Sequence, residues 1–241
     1  AGAGAPVAKH GNRSVSSQVG SADVLEDLGV NINISEKGAE RCLNEIGIVF
    51  LFAPSYHPAM KNVSQLRKEI GVRTIFNVLG PLTNPADVKH QVMGVYSEVL
   101  VEPMAKVLRN LGYMRAMVVH GADMLDEITV TGKTQIAELK DGMIKTYQFD
   151  PTESGFKRRK LEELKGGSTM ENAKILLSIL RGEEREAKRE IAVLNAAAGI
   201  LVSGIAGEMK DAIEMAGDSI DSSKALSKLN DLIRFTKNWN D

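Results

Sequence analysis

A chain of 241 residues can hold one large α/β domain or two small ones, and 43% hydrophobic with 25% charged residues is ordinary for a globular fold. Thirty basic side chains against 31 acidic ones leave a formal charge of −1, so no bulk attraction draws the chain to nucleic acid or an anionic membrane, and any anion site must be local. No apolar run approaches the roughly 18–20 residues of a membrane span, and a single cysteine excludes an intrachain disulfide or a cysteine metal cluster.

The first eight residues lack the basic start and apolar core of a signal peptide. With one lone thiol, the expected setting is the reducing cytoplasm. Pro6-Val7-Ala8 is a short apolar entry, read as a strand feeding the densest motif of the chain. That motif is Lys9-His10-Gly11-Asn12-Arg13-Ser14-Val15-Ser16-Ser17, followed by Gly20-Ser21-Ala22-Asp23. Apart from Gly11, only Val15 in the first run cannot donate a side-chain hydrogen bond. Such a run makes a poor core segment and a good anion cradle, because cations and hydroxyls converge on one short turn. A helix opening after it at residues 23–29 adds free N–H groups and a partial positive charge, which suits phosphate. A polar turn that merely caps this helix is the alternative. A ligand cradle this close to a free terminus also raises the expectation of an N-terminally truncated chain.

Residues 35–46 form a helix pattern with Ser35 as N-cap and Gly47 just past the end, and Cys42 lies within it. Residues 48–53 are a continuous apolar run, expected of a strand buried on both faces. Residues 54–58 read as a loop, 59–70 as a helix closed by Gly71, and 74–85 as an apolar turn broken by two prolines. Residues 91–96 form a strand, and a helix stripe of Met104, Val107, Leu108 and Leu111 stops at Gly112. A further strand follows at 116–120. Strand, amphipathic helix, strand is a βαβ unit, which implies a parallel sheet with ligands beyond the carboxyl ends of its strands. Short alternating runs from 127 to 149, with Lys140-Asp141-Gly142 at the tip, predict a hairpin. Residues 150–167 are polar, and their run Lys157-Arg158-Arg159-Lys160 reads as a solvated loop or helix start. The last third is helical. Ser168 and Glu171 make a capping-box signal before the stripe Ala173, Leu176, Leu177 and Leu180. A long pattern over 183–205 is alanine-rich around Asn195, where helices could pack closely, and two shorter helices end the chain.

Three constellations could carry chemistry. The first is the cradle. The second is Asp126-Glu127, adjacent carboxylates just past a buried strand, which suit Mg²⁺ beside substrate phosphates or else form an exposed acidic loop. The third is Arg67, a planar fork for a carboxylate or a surface ion pair. His120 is expected to pack at a strand end, no serine–histidine–acid order stands out, and the four histidines lack zinc spacing.

The run KHGNRSVSS, then GSAD, LE and LG at their spacing, resembles the signature of the anthranilate phosphoribosyltransferase family, and the segments HPAMK, RTIFN and GPLTNP are similar to it as well. The resemblance covers essentially all 241 residues. It implies an α/β fold with a mainly parallel central sheet and flanking helices, like the large domain of nucleoside phosphorylases and phosphoribosyltransferases, spanning 1–241 as a single phosphoribosyl-binding domain. It implies transfer of the phosphoribosyl group of phosphoribosyl pyrophosphate to the amino group of anthranilate, releasing pyrophosphate, in tryptophan biosynthesis. Phosphoribosyl pyrophosphate would be bound by Lys9, His10, Gly11, Asn12, Arg13, Ser14, Val15, Ser16, Ser17 and Ser21. Anthranilate would be bound by His10, Asn12, His57, Arg67 and Pro81, and Mg²⁺ by Asp126 and Glu127. Met124 stands where the family usually has glycine. Catalysis would rest on positioning and electrostatics, with no single catalytic residue assigned. Family members also carry an N-terminal helical region and a Gly-Thr-Gly-Gly-Asp loop, which this sequence lacks. The 241 residues alone are therefore expected to have little or no activity, and the intact enzyme to be a cytoplasmic homodimer. A pyrimidine nucleoside phosphorylase-like enzyme and a non-catalytic nucleic-acid-binding relative remain as alternatives.

Overall fold

β1 (Val7–Gly11) and β2 (Ile48–Phe52) run parallel, with Lys9 opposite Phe50 and His10 opposite Leu51. The computed structural model in which they are seen describes residues 1–14, 19–60 and 76–239. Between these strands the helix Glu36–Ile46 starts where expected: Ser35 Oγ accepts from the Gly38 N–H at 3.2 Å, and Gly47 closes it in the left-handed conformation. Val49, Phe50 and Leu51 are buried in sequence, as a strand covered on both faces requires.

A second sheet has the order β3-β4-β5-β6. β3 (His90–Gly94) and β4 (Arg115–Gly121) are parallel, and the helix Val101–Asn110 crosses between them, burying Met104, Ala105 and Leu108. β5 (Thr134–Lys140) and β6 (Met143–Phe149) then continue antiparallel. Asp141 and Gly142 both have positive φ, 51° and 77°, the twist that a two-residue hairpin favours. The α/β class is as expected. Among the described residues, however, the larger sheet is mixed rather than mainly parallel, because only a long crossover can return a chain parallel to itself. A helix does that between β3 and β4, and the two-residue turn after β5 cannot.

Other local expectations shift. Residues 54–58 are not wholly a loop, since Ala53–Tyr56 makes a helical turn with Pro54 in its first turn, where a missing N–H costs nothing. Within 74–85, helical turns span Phe76–Leu79 and Gly80–Thr83. Most of the helix expected at 59–70 lies outside the described residues, and Pro58–Met60 is a single 3₁₀ turn. The basic run is a loop with Lys157, Arg158 and Lys160 exposed, as expected, but Arg159 grips the Glu190 carboxylate with two N–H groups at 2.8 and 2.7 Å.

The helix Thr169–Leu180 opens with the capping box, in which Glu171 accepts from the Ser168 N–H at 2.7 Å. The long helix is Ala187–Val202, and it packs on Met209–Asp221 through small buried residues, Ala197, Ala198, Ala212 and Ala216. These helices join Met117, Val119 and Ile136 of the larger sheet in one core cluster. The final helix, Lys224–Asn238, instead packs Leu229 and Leu232 against Val49, Phe50 and Cys42. Thr236 Oγ1 there accepts from the Asn31 N–H at 3.1 Å, and Lys228 Nζ donates to the Ile46 carbonyl. No helix among the described residues is long and apolar enough to cross a membrane.

Candidate active site

The carboxyl ends of β1 and β3 border a cleft of about 1780 Å³. That is wider than an enclosed pocket for one small molecule, and it leaves room for two substrates. Lys9, His10, Gly11, Asn12 and Ser14 line it from β1 and the residues after it. His57 and Pro81 line it from two turns, and Asp126 and Glu127 from the loop after β4. Residues far apart in the chain thus share one cavity.

The motif is not a turn at its start, because Lys9, His10 and Gly11 are the last residues of β1. Strand geometry fixes their backbone, which a loop would not. His10 donates through Nδ1 to the Gly80 carbonyl at 3.3 Å, and His57 through Nε2 to the Thr83 carbonyl at 2.9 Å. Asn84 Nδ2 donates to the Ala8 carbonyl at 3.0 Å, and Gln91 Nε2 to the Pro81 carbonyl at 2.8 Å. Four side chains therefore hold the turn Gly80–Thr83 and its flank against β1 and β3. Burial, then the charge of His57, lowers the His10 pKa below the ordinary histidine value, and the Gly80 carbonyl opposes the shift. His10 is consequently a neutral imidazole at pH 7. Its buried Nε2 has no hydrogen-bond partner among the described residues.

Two motif residues turn elsewhere. Arg13 donates to Glu26 at 2.8 Å and to Asp23 at 3.4 Å, and its guanidinium lies 5.6 Å from the Phe52 ring centre. Its charge is engaged by the helix Ser21–Asp27 and not presented to the cleft. Asp23 also accepts from the Gly20 N–H at 2.8 Å and the Ser14 N–H at 3.2 Å, so it occupies donors that an anion would use. Ser21 is the first residue of that helix and sits behind Gly11, outside the cleft lining. Val15, Ser16, Ser17 and Arg67 lie outside the described residues.

Asp126 and Glu127 supply the acidic wall. Glu127 opens onto the concave cleft, where surrounding protein displaces water. The side chain is exposed to solvent, yet the protein mass around the cleft raises its pKa first, repulsion from Asp126 adds to it, and Lys9 across the cleft opposes both. Two repelling carboxylates facing a cavity are hard-oxygen donors short of positive charge. Among the described residues no group of three or more His, Cys, Asp or Glu could hold a metal ion by itself. The pair therefore fits a cation that keeps its waters and takes further ligands from substrate phosphates, as Mg²⁺ does.

The loop bearing the pair is strongly held. Asp123 Oδ2 accepts from the hydroxyls of Thr129 and Thr131, both at 2.5 Å. A methyl group on Gly94 would collide with the Asp126 carbonyl oxygen, so the loop lies directly on the end of β3. Asn195, in the long helix, accepts from the Ile128 N–H and donates to the Ile128 carbonyl, both at 2.9 Å. Sequence reasoning noted only close packing around Asn195. The readable signal was a lone amide between apolar Leu194 and three alanines. His120 packs as expected, buried with Nδ1 donating to the Val95 carbonyl at 2.8 Å.

A sequence profile described as "Glycosyl transferase family, a/b domain" matches residues 1–226. The anthranilate phosphoribosyltransferase of Clostridium kluyveri is 53% identical over 235 residues, covering 98% of this chain and 70% of that protein. That of Petrotoga mobilis is 50% identical over 236 residues, with 98% and 68% covered. Among solved structures, the anthranilate phosphoribosyltransferase of Thermus thermophilus superposes with a TM-score of 0.93 at 41% identity, covering 98% of this chain and 70% of that one. The Saccharomyces cerevisiae enzyme in complex with PRPP and Mg has a TM-score of 0.88 at 29% identity, with 99% and 68% covered.

Proposed function

Because the chain belongs to the anthranilate phosphoribosyltransferase family, we propose that its cleft positions phosphoribosyl pyrophosphate and anthranilate for transfer of the phosphoribosyl group to the anthranilate amine. The observation that carries the reading is the convergence of Lys9, His10 and Asn12 with Asp126 and Glu127 on one cleft. Family membership favours this transferase over the phosphorylase-like and nucleic-acid-binding alternatives.

An aryl amine is neutral at pH 7, so its nitrogen needs no strong base. A C1–N bond forms as the C1–O bond to pyrophosphate breaks. The electron pair leaves with pyrophosphate, and the nitrogen sheds one proton. The charge on that leaving group is the main obstacle, so fixed cations and donors aimed at it lower the barrier. Lys9 places an ammonium at the end of β1, and Gly11, Asn12 and Ser14 follow it along the cleft. Asp126 and Glu127 would hold Mg²⁺, which supplies positive charge to the pyrophosphate oxygens. On the acceptor side, His10, His57 and Pro81 form the wall. Val15, Ser16, Ser17 and Ser21 in phosphate binding, and Arg67 at the anthranilate carboxylate, are parts of the proposal that rest on the resemblance alone. So is the homodimer. The cytoplasmic setting is supported by Cys42, a buried free thiol compatible with a reducing compartment.

The test follows anthranilate fluorescence in the full-length protein with phosphoribosyl pyrophosphate and Mg²⁺. Losing one preorganised donor costs on the order of 2.7–4 kcal/mol of barrier. Lys9→Ala and Asp126→Ala should therefore each lower turnover by roughly a hundredfold or more. Near-normal turnover in both variants sinks the assignment.

A further inference from the structure

We infer that Asn195 is a positioning residue for the Asp126-Glu127 pair, acting with Gly94 to fix where the two carboxylates stand. This rests on the reading of that pair as the metal-holding wall. The carboxylate loop is gripped from two sides by elements distant in sequence. On one side the missing side chain of Gly94 lets the Asp126 carbonyl settle onto the end of β3, at a spot that any Cβ would fill. On the other, Asn195 reads both backbone groups of Ile128, the residue immediately after Glu127.

The amide is itself held. Its Nδ2 also donates to the Ile191 carbonyl, one turn back on the same helix, at 2.9 Å. That bond fixes which end of the amide donates, and the remaining donor and acceptor match the Ile128 carbonyl and N–H. Ile128 is fully buried, so losing Asn195 leaves two backbone groups unsatisfied, and the loop must move to find partners. Carboxylates attached two and one residues earlier move with it. Asn195 also lines the same cleft, so the long helix links the acidic wall to the cavity it serves. A hydroxyl has one hydrogen to give, whereas this amide donates twice and accepts once. Aspartate would keep the bond from the Ile128 N–H and set a negative oxygen against the Ile128 carbonyl.

The experiment compares Asn195→Asp, Asn195→Ala, Gly94→Ala and Asp126→Asn with the parent in the full-length protein. Mn²⁺ bound in the presence of phosphoribosyl pyrophosphate is read by water-proton relaxation. Half-saturating Mg²⁺, kcat and the KM for anthranilate are read by fluorescence, and circular dichroism reports folding. Losing a group that orients metal ligands from behind typically changes metal affinity by about 10–100-fold. The Asn195 variants should weaken Mn²⁺ binding and raise half-saturating Mg²⁺ by that order, while the KM for anthranilate moves by less than about twofold. Gly94→Ala should give the same split by pushing from the other side. Asn195→Asp keeps one of the two Ile128 bonds and is the milder variant should Asn195→Ala or Gly94→Ala fail to fold. Loss of Mn²⁺ binding in Asp126→Asn with unchanged binding in folded Asn195→Asp overturns the inference. Unchanged binding in Asp126→Asn overturns the reading of the carboxylate pair instead. A KM for anthranilate that rises in step with half-saturating Mg²⁺ marks general distortion and also overturns the inference.

Discussion

His10 and His57 meet edge to face, their ring centres 5.1 Å apart and their planes at 74°. Each spends one ring N–H on the same turn, at Gly80 and Thr83. A proton on both would place two positive charges against each other in a partly dry site. Burial, and then His57, accordingly lowers the His10 pKa. An unfolded histidine takes up its proton near pH 6.5. The folded protein resists that proton, so stability is fully present above about 6.5 and is lost as the pH falls toward the lower folded value. Urea midpoints should fall on acidification from pH 7.5 to 5.5, and His10→Gln should flatten that slope. An equal slope in the variant would remove His10 as its source.

Cys42 should be chemically silent in the native protein. It is wholly buried, its thiol donates to the Ile48 carbonyl at 3.2 Å, and burial, aided by Glu45, pushes its pKa up to about 12. The thiolate is the reactive species. A thiol reagent at pH 8 should therefore label no cysteine until denaturant is added, and then one per chain. Rapid labelling of the folded chain contradicts this burial.

Leu108 and Leu111 share a periodic stripe in sequence and part company in the structure. Leu108 is fully buried beside Met93, Val118 and Leu139, whereas Leu111 is 51% exposed at the end of its helix. Leu108→Ala should cost about 2–5 kcal/mol of unfolding free energy. Leu111→Ala should stay within about 0.5 kcal/mol. Chemical denaturation of the two variants separates them.

Arg13 and Lys9 should also separate, although both belong to one cationic motif. The Arg13 guanidinium is engaged by Asp23 and Glu26, and Lys9 faces the cleft. Arg13→Ala should lower the thermal midpoint more than it lowers turnover, and Lys9→Ala should do the reverse. Equal losses of turnover would return Arg13 to the cleft.

What could be read from the chain depended on how far its signals reach. Ser35, Gly47, Ser168 and Glu171 act within one helical turn, and each stands where the sequence placed it. Asp141-Gly142 marks its own hairpin, since both residues must take positive φ. The cleft membership of Lys9, His10, His57, Asp126 and Glu127 was legible through residue chemistry and family likeness. The ion pairs of Arg13 were not legible, because its partners are supplied by a helix ten and thirteen residues on and charge alone does not say which anion wins. The Asn195–Ile128 clamp spans 67 residues, and the lone amide beside three alanines does not name its partner. Gly94 likewise looks like an ordinary strand glycine until the Asp126 carbonyl is found against it.

The bond from Asn31 to Thr236 spans 205 residues, and that from Lys228 to Ile46 spans 182. The cluster that supports β1 and β2, and with them Lys9 and His10, is thus completed by a helix translated long after those strands. At about 5–20 residues per second, a ribosome needs roughly ten to forty seconds to deliver it. For that interval the nascent chain carries Val49, Phe50 and Leu51 without their last cover. The strand bearing the motif is therefore made well before the helix that secures it.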